Sequence, residues 1–101
     1  MESNSANFLH DATLVSLTVD WCGKAAEVRF RRSGDRTTRL SALGLSYLAV
    51  PHREPWGPSV SVNQVREEIG TGPDNRHHVE IEMQSGDIIQ IYASRIEWEK
   101  P

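Results

Sequence analysis

Four histidines and a single cysteine are the residues of this sequence best suited to chemistry. His10 is followed directly by Asp11, a combination that can bind a metal or let a carboxylate orient an imidazole base. His77 and His78 are also adjacent, and His52 could add a third ligand. Neighbouring residues on an extended chain point to opposite faces, so neither pair converges by itself. We therefore favour an anchoring role for His10 and Asp11 at a turn, and keep a small-ligand or metal-dependent activity at these five residues as the alternative.

Nucleophilic catalysis has no recognisable machinery in this sequence. Cys22 falls in a predicted turn next to Lys24, which could lower the pKa of the thiol, but no histidine is close to it in sequence. Strand-to-helix nucleophile elbows and glycine-rich phosphate loops are also missing from the sequence. We predict no catalytic residue, no cofactor and no enzymatic activity.

Alternating apolar and polar residues predict the strands that position these side chains. A first strand is expected over 13–21, with the odd-numbered positions Val15, Leu17, Val19 and Trp21 facing inward. After a turn at 22–24, a second strand carries Ala26, Val28 and Phe30 on its inner face, and its partner begins at 37 or 38 and includes Leu40. The three segments form a meander.

Residues 40–50 fit two patterns. Leu40, Leu43, Tyr47 and Leu48 have helical spacing, but Leu43, Leu45 and Tyr47 also alternate as in a strand. Gly44 would cost a helix about 1 kcal/mol. We predict a strand that bends near 42–44 and runs through Val50, with a helix as the alternative.

Three prolines in residues 51–58 predict a long, stiffened loop. Beyond it, Ser61 and Gln64 fit a capping box, and Val62, Val65 and Ile69 fall on one helical face. The spacing predicts a short helix over about 61–68, closed by Gly70.

The chain is expected to finish in a hairpin. A three-residue loop (Ser85, Gly86 and Asp87) keeps the apolar residues of both strands on one face, with Gly86 supplying a positive φ. The predicted pairs are Met83 with Ile89, Ile81 with Ile91, and Val79 with Ala93.

Six residues are candidates for binding. Trp56, held in the proline loop, is either a core plug or a contact residue, and we favour the plug, with Ser59 and Asn63 bonding loop backbone groups. Ile96 and Trp98 share parity with Tyr92, so either the last strand bulges or these three residues form an apolar strip on the second face. The last strand, expected at an edge, is the first candidate for a homodimer contact.

Charge is segregated along the chain. Residues 24–53 carry seven basic and two acidic groups, a balance of +5, whereas residues 67–101 carry eight acidic and three basic groups, a balance of −5. Pairing between neighbouring strands explains this pattern better than a nucleic-acid footprint, because the formal net charge is −3.

Length and composition indicate one mainly β domain. The 101 residues form one domain, 1–101, with a flexible segment at 1–8. A membrane-spanning run and a secretory signal are not apparent, so the expected location is the cytoplasm. We predict a bent antiparallel sheet, partial barrel or small sandwich of five to six strands with one short helix.

Short motifs resemble those of small bacterial β-rich domains of unknown function, including immunity proteins of polymorphic toxin systems. They are Leu9-His10-Asp11-Ala12 with Leu14 and Asp20, Trp56-Gly57 with Ser59, Val62-Asn63, and Gln84-Ser85-Gly86-Asp87. The resemblance implies a bacterial, cytosolic, non-catalytic protein that binds another protein. We therefore expect a protein-binding module, immunity-type or self-associating, whose partner is a protein or a second copy of the chain.

Overall fold

A computed structural model describes residues 9–53, 60–68, 70 and 76–99, together with the backbone of 3–5. Seven strands form one antiparallel sheet in the order β1-β5-β6-β7-β4-β3-β2. The strands are β1 (Ser3–Ser5), β2 (Thr13–Asp20), β3 (Ala25–Arg32), β4 (Arg36–Ala49), β5 (Val62–Glu68), β6 (His77–Met83) and β7 (Ile88–Trp98). The predicted mainly β class is confirmed. Strand β1 lies within the segment 1–8 for which we expected flexibility.

The sheet is open in its strand order but curls into a partial barrel. Thr13 at the start of β2 forms an antiparallel bridge with Ser61, just before β5. The Leu14 amide donates to the Val60 carbonyl at 3.0 Å, and the Val62 amide donates to the Ala12 carbonyl at 2.8 Å. Apolar side chains on the inner face, led by Phe30, form one core inside the curl. In the described part of the chain, no helix is long and apolar enough to cross a membrane.

A bulge in β2 changes which of its residues face inward. The register with β3 shifts between Leu14 and Ser16, so Val15 is an extra residue in the strand. Leu14 is buried, and Leu17 and Val19 pack against the core, whereas Val15 is 50% and Trp21 73% exposed. The prediction that all the odd positions face inward is therefore wrong for Val15, the bulge residue, and also for Trp21, which lies in the turn after β2.

Strand β4 confirms the predicted bend and excludes the helix alternative. Gly44 has a φ of 68°, in the left-handed region that favours glycine. Ala42 before it is buried, and Leu45 and Leu48 after it pack against the core. The apolar spacing of three comes from this bend and from a register shift between Leu45 and Tyr47.

The predicted helix over 61–68 is wrong, because this segment is strand β5. A register shift between Val62 and Gln64 places Asn63 as an extra residue. Val62 and Val65 are therefore both buried although they lie three positions apart, which is the spacing that suggested a helix.

The terminal hairpin has an odd loop, as predicted, but in another register. Ile81 pairs with Ile89, and the Met83 amide donates to the Asp87 carbonyl at 2.8 Å, so the loop is 84–86. Gly86 has a φ of 102° and the Ser85 hydroxyl accepts from the Asp87 amide at 3.3 Å, which closes the turn one residue earlier than expected. The shift moves each pairing partner by two positions, so the same apolar residues of β6 and β7 face inward as predicted.

Candidate functional site

One row of side chains crosses four strands on the outer face of the sheet. Cross-strand pairing aligns Glu68 with His78, His78 with Tyr92, and Tyr92 with Tyr47. The His78 and Tyr92 rings stack with centroids 4.2 Å apart, and the Tyr92 and Tyr47 rings meet edge to face at 5.7 Å. Tyr47 is 53% exposed. We call the four residues the outer ladder.

A polar network borders the outer ladder on β5 and β6. Arg66 Nε donates to Glu80 Oε1 at 3.0 Å and Arg66 Nη1 to Glu82 Oε1 at 3.3 Å. The amides of Gln64 and Asn63 also donate to the Glu82 carboxylate, at 3.2 and 3.4 Å. Asn63, a predicted binding residue, thus contributes to this surface rather than to a loop.

The network shifts the proton affinity of its charged members. The hydrogen bond from Gln64 lowers the pKa of Glu82 and outweighs its burial, with Arg66 and Asn63 acting in the same direction. Burial opposes the charge of Arg66, but its bonds to Glu80 and Glu82 still raise its pKa above the ordinary value. Both groups are therefore held in their charged forms.

The border of the outer ladder is acidic. On the outer face of β5 and β6, Arg66 of the border stands against Glu80 and Glu82, and Glu68 of the ladder itself brings the balance to −2. An acidic surface with an exposed aromatic ring, here Tyr47, suits contact with a basic protein surface.

The predicted strip of Tyr92, Ile96 and Trp98 does not form, because β7 reverses its inward parity. Leu45 pairs with Ala93 and Ala42 pairs with Ile96, and the bend at Gly44 turns both strands together. Ile96 and Trp98 consequently pack against the core, while Tyr92 lies in the outer ladder.

Strand β7 is also not an edge strand. It lies between β6 and β4 in the sheet, so both of its backbone edges are paired. The reasoning that made it a homodimer contact is therefore wrong.

Trp98 belongs to a polar cluster inside the partial barrel. Its indole Nε1 donates to Glu67 Oε1 at 3.1 Å, and its ring stacks on Phe30 with centroids 6.3 Å apart. His77 Nδ1 forms a hydrogen bond of 3.3 Å with the other oxygen of Glu67. The Glu67 side chain is only 12% exposed. These contacts give Trp98 a structural role.

His10 and Asp11 converge, contrary to the expectation for an extended chain, because Asp11 has a φ of 67°. His10 Nε2 lies 3.6 Å from Asp11 Oδ2. His10 Nδ1 donates to the Asn63 carbonyl at 2.7 Å, the Gln84 amide donates to Asp11 Oδ1, and the Asp11 backbone amide donates to Val62. Through these contacts the pair connects the turn before β2 to β5 and to Gln84.

The other chemical candidates lie on different strands or on different faces of the sheet. His77 faces the interior and His78 the outer ladder, while His52 follows β4 and is exposed. Among the described residues, His, Cys, Asp and Glu form no group of three or more suited to a metal ion. Cys22 is exposed in the turn between β2 and β3.

The two charged segments meet where Arg39 contacts Glu99 at 3.3 Å. Arg39 and Arg29 also both contact Glu27, at 3.3 and 2.9 Å. The hydrogen bond from Arg29, with the charges of both arginines, lowers the pKa of Glu27. Part of the charge pairing therefore occurs within the basic segment.

Trp56 and Ser59 lie outside the described residues. Sequence reasoning missed Tyr47 and His78 as members of a common surface, although it had named Tyr92. The alternation of apolar and polar residues predicted the strands that carry these residues. Only the cross-strand register brings the three rings together.

Comparisons with known proteins give information about the fold only. No protein-family model matches the chain, and no curated protein does. The structure of an uncharacterized protein from Neisseria gonorrhoeae is similar over 100% of both chains, with a TM-score of 0.75 and 12% sequence identity. At this identity the likeness shows a shared architecture and carries no function.

Proposed function

We propose that this chain is a non-enzymatic binding module of a bacterial cytoplasmic protein, immunity-type in its action, that covers a basic surface of another protein. The observation that supports this function best is the outer ladder, in which Tyr47 projects from rings fixed by stacking. Aromatic side chains held in one orientation lose little conformational entropy on binding and often supply much of the binding energy.

The acidic border of the ladder favours a basic partner. The three glutamates would steer such a partner to the surface, and Tyr47 would then be covered in the complex. Asn63 and Tyr92, two of the predicted binding residues, lie on this face. An immunity protein acts by occlusion, so the proposal needs no catalytic residue.

The alternative is a small-ligand or metal-dependent activity at His10 and Asp11. Convergence of the two side chains beside a shallow cavity of about 320 Å³, lined also by Arg32 and Ser33, supports it. The positive charge of Arg32 works against a cation there. The melting temperatures of the wild-type chain and of His10→Ala are measured with and without Zn²⁺. A binding module gives the same shift in both proteins, whereas a metal site at His10 gives a larger shift in the wild-type chain.

The experiment that tests the proposal uses the products of the genes flanking that of this protein, because immunity genes are encoded beside their toxins. Each product is purified and titrated calorimetrically with the full chain. We expect one basic product to bind with 1:1 stoichiometry, and with an affinity that falls as salt is raised. Binding by none of them, or salt-independent binding, would overturn the proposal.

A further inference from the structure

Strand β2 lies at one edge of the sheet. Thr13 and Leu14 contact residues 60–61, but beyond the Val15 bulge the described residues offer β2 no second strand partner. The apolar residues at the two ends of this edge are the exposed Val15 and Trp21, at 50% and 73%.

The Val15 bulge protects only the start of this edge against pairing. Edge strands commonly carry bulges, lysine, proline or inward charges that prevent the addition of another strand. Between the bulge and the turn, β2 reads Ser-Leu-Thr-Val-Asp, and Asp20 is its one charged residue. Its sequence therefore permits a further strand.

The edge is complementary to a second copy of itself. When two copies run antiparallel about Thr18, Leu17 faces the Val19 position and Ser16 faces the Asp20 position. Asp20 thus does not face Asp20 of the second copy. Thr18 faces Thr18 of the second copy, which is a favourable cross-strand pair. Beyond the paired residues, the Val15 bulge of one copy lies near Trp21 of the other, so the two exposed apolar side chains can come into contact.

We propose that a second copy of this chain pairs with the β2 edge, about a two-fold axis at Thr18, and extends the sheet across the dimer. Such an isologous contact closes on itself and stops at two copies. A single strand pairing buries less surface than a standard interface, so the dimer forms reversibly with concentration. The contact is separate from the outer ladder, because β3 lies between β2 and β4.

Sedimentation velocity over a range of concentrations tests the dimer. The wild-type chain is expected to dimerise reversibly, and Thr18→Lys, which places two ammonium groups on the axis, to raise the dissociation constant at least about 10-fold. Thr37→Lys, also an exposed threonine on a strand but away from this edge, is the matched control. A monomer at every concentration, or equal effects of both variants, would overturn the proposal.

Cross-linking tests the register and remains informative if Thr18→Lys fails to fold. Directly opposite residues of an antiparallel pair have Cα atoms about 4.5–5.5 Å apart, within reach of a disulfide. In a Cys22→Ser background, Thr18→Cys should form a covalent dimer under mild oxidation, and Thr37→Cys should not. Equal rates of cross-linking in the two variants would refute the Thr18 axis.

Discussion

The indole nitrogen of Trp98 donates to the carboxylate of Glu67 at 3.1 Å, across the interior of the partial barrel. The bond connects the last residue of β7 to β5, two strands that are not neighbours in the sheet. Because the same indole stacks on Phe30 in β3, this one side chain connects β7 to both β5 and β3. Trp98, which we predicted as a binding residue, thus has a structural role.

Trp98→Phe separates the hydrogen bond from the ring packing. The phenyl ring can still pack on Phe30, but Glu67 Oε1 loses its donor in a site that is only 12% exposed. We expect a loss of about 1–3 kcal/mol in unfolding free energy, measured by urea denaturation. Trp21→Phe, at a position 73% exposed, should change it by less than about 0.5 kcal/mol. Equal effects would contradict the structural role of Trp98.

Most of the sheet could be predicted from alternation, and the errors at β2 and β5 share one physical cause. Where a strand carries an extra residue, successive core residues lie three positions apart, as at Leu14 and Leu17 and at Val62 and Val65. A spacing of three also occurs in helices, so the second pair suggested a helix. At Gly44 the bend was predicted correctly, because glycine itself marked the irregular position.

Gly44→Ala should lower the unfolding free energy more than most substitutions of similar size. Its φ of 68° is unfavourable for alanine, and an added Cβ would lie 2.8 Å from the Cβ of Ser94. We expect a loss of about 2–4 kcal/mol in unfolding free energy. Gly34→Ala is the control, since its φ is 76° but nothing lies within 4 Å, and it should cost about 1 kcal/mol. A result in which Gly34→Ala costs as much would show that the contact with Ser94 is unimportant.

The Glu82 network should make stability depend on pH in the acid range. Since the pKa of Glu82 is lower in the folded state, its contribution is complete above the unfolded pKa of about 4.3. It is lost as the pH falls through the folded pKa. Glu82→Gln should therefore destabilise the protein by about 1 kcal/mol at pH 7 and by little near pH 2, in chemical denaturation at each pH.

Glu97→Gln is the control for this titration, because the Glu97 side chain is 53% exposed and is paired only with the exposed Arg95 in the described contacts. Its effect should stay below about 0.5 kcal/mol throughout. A Glu82→Gln effect of the same size at every pH would contradict the role assigned to the carboxylate.

The candidate site was less predictable than the fold. Tyr92 and Asn63 could be selected from sequence as residues outside the core pattern. However, the outer ladder depends on β7 lying between β6 and β4, a long-range pairing that alternation does not encode. Only the cross-strand register therefore shows that His78 and Tyr47 belong to one surface.

The most direct test of the binding proposal compares Tyr47→Ala with Thr37→Ala, both exposed positions on β4, in calorimetric titrations with the flanking-gene product that binds the wild-type chain. Circular dichroism first establishes that both variants are folded. If the outer ladder is the contact surface, Tyr47→Ala raises the dissociation constant at least about 10-fold and Thr37→Ala leaves it unchanged. A Tyr47→Ala variant that binds as tightly as the wild-type chain would contradict the account.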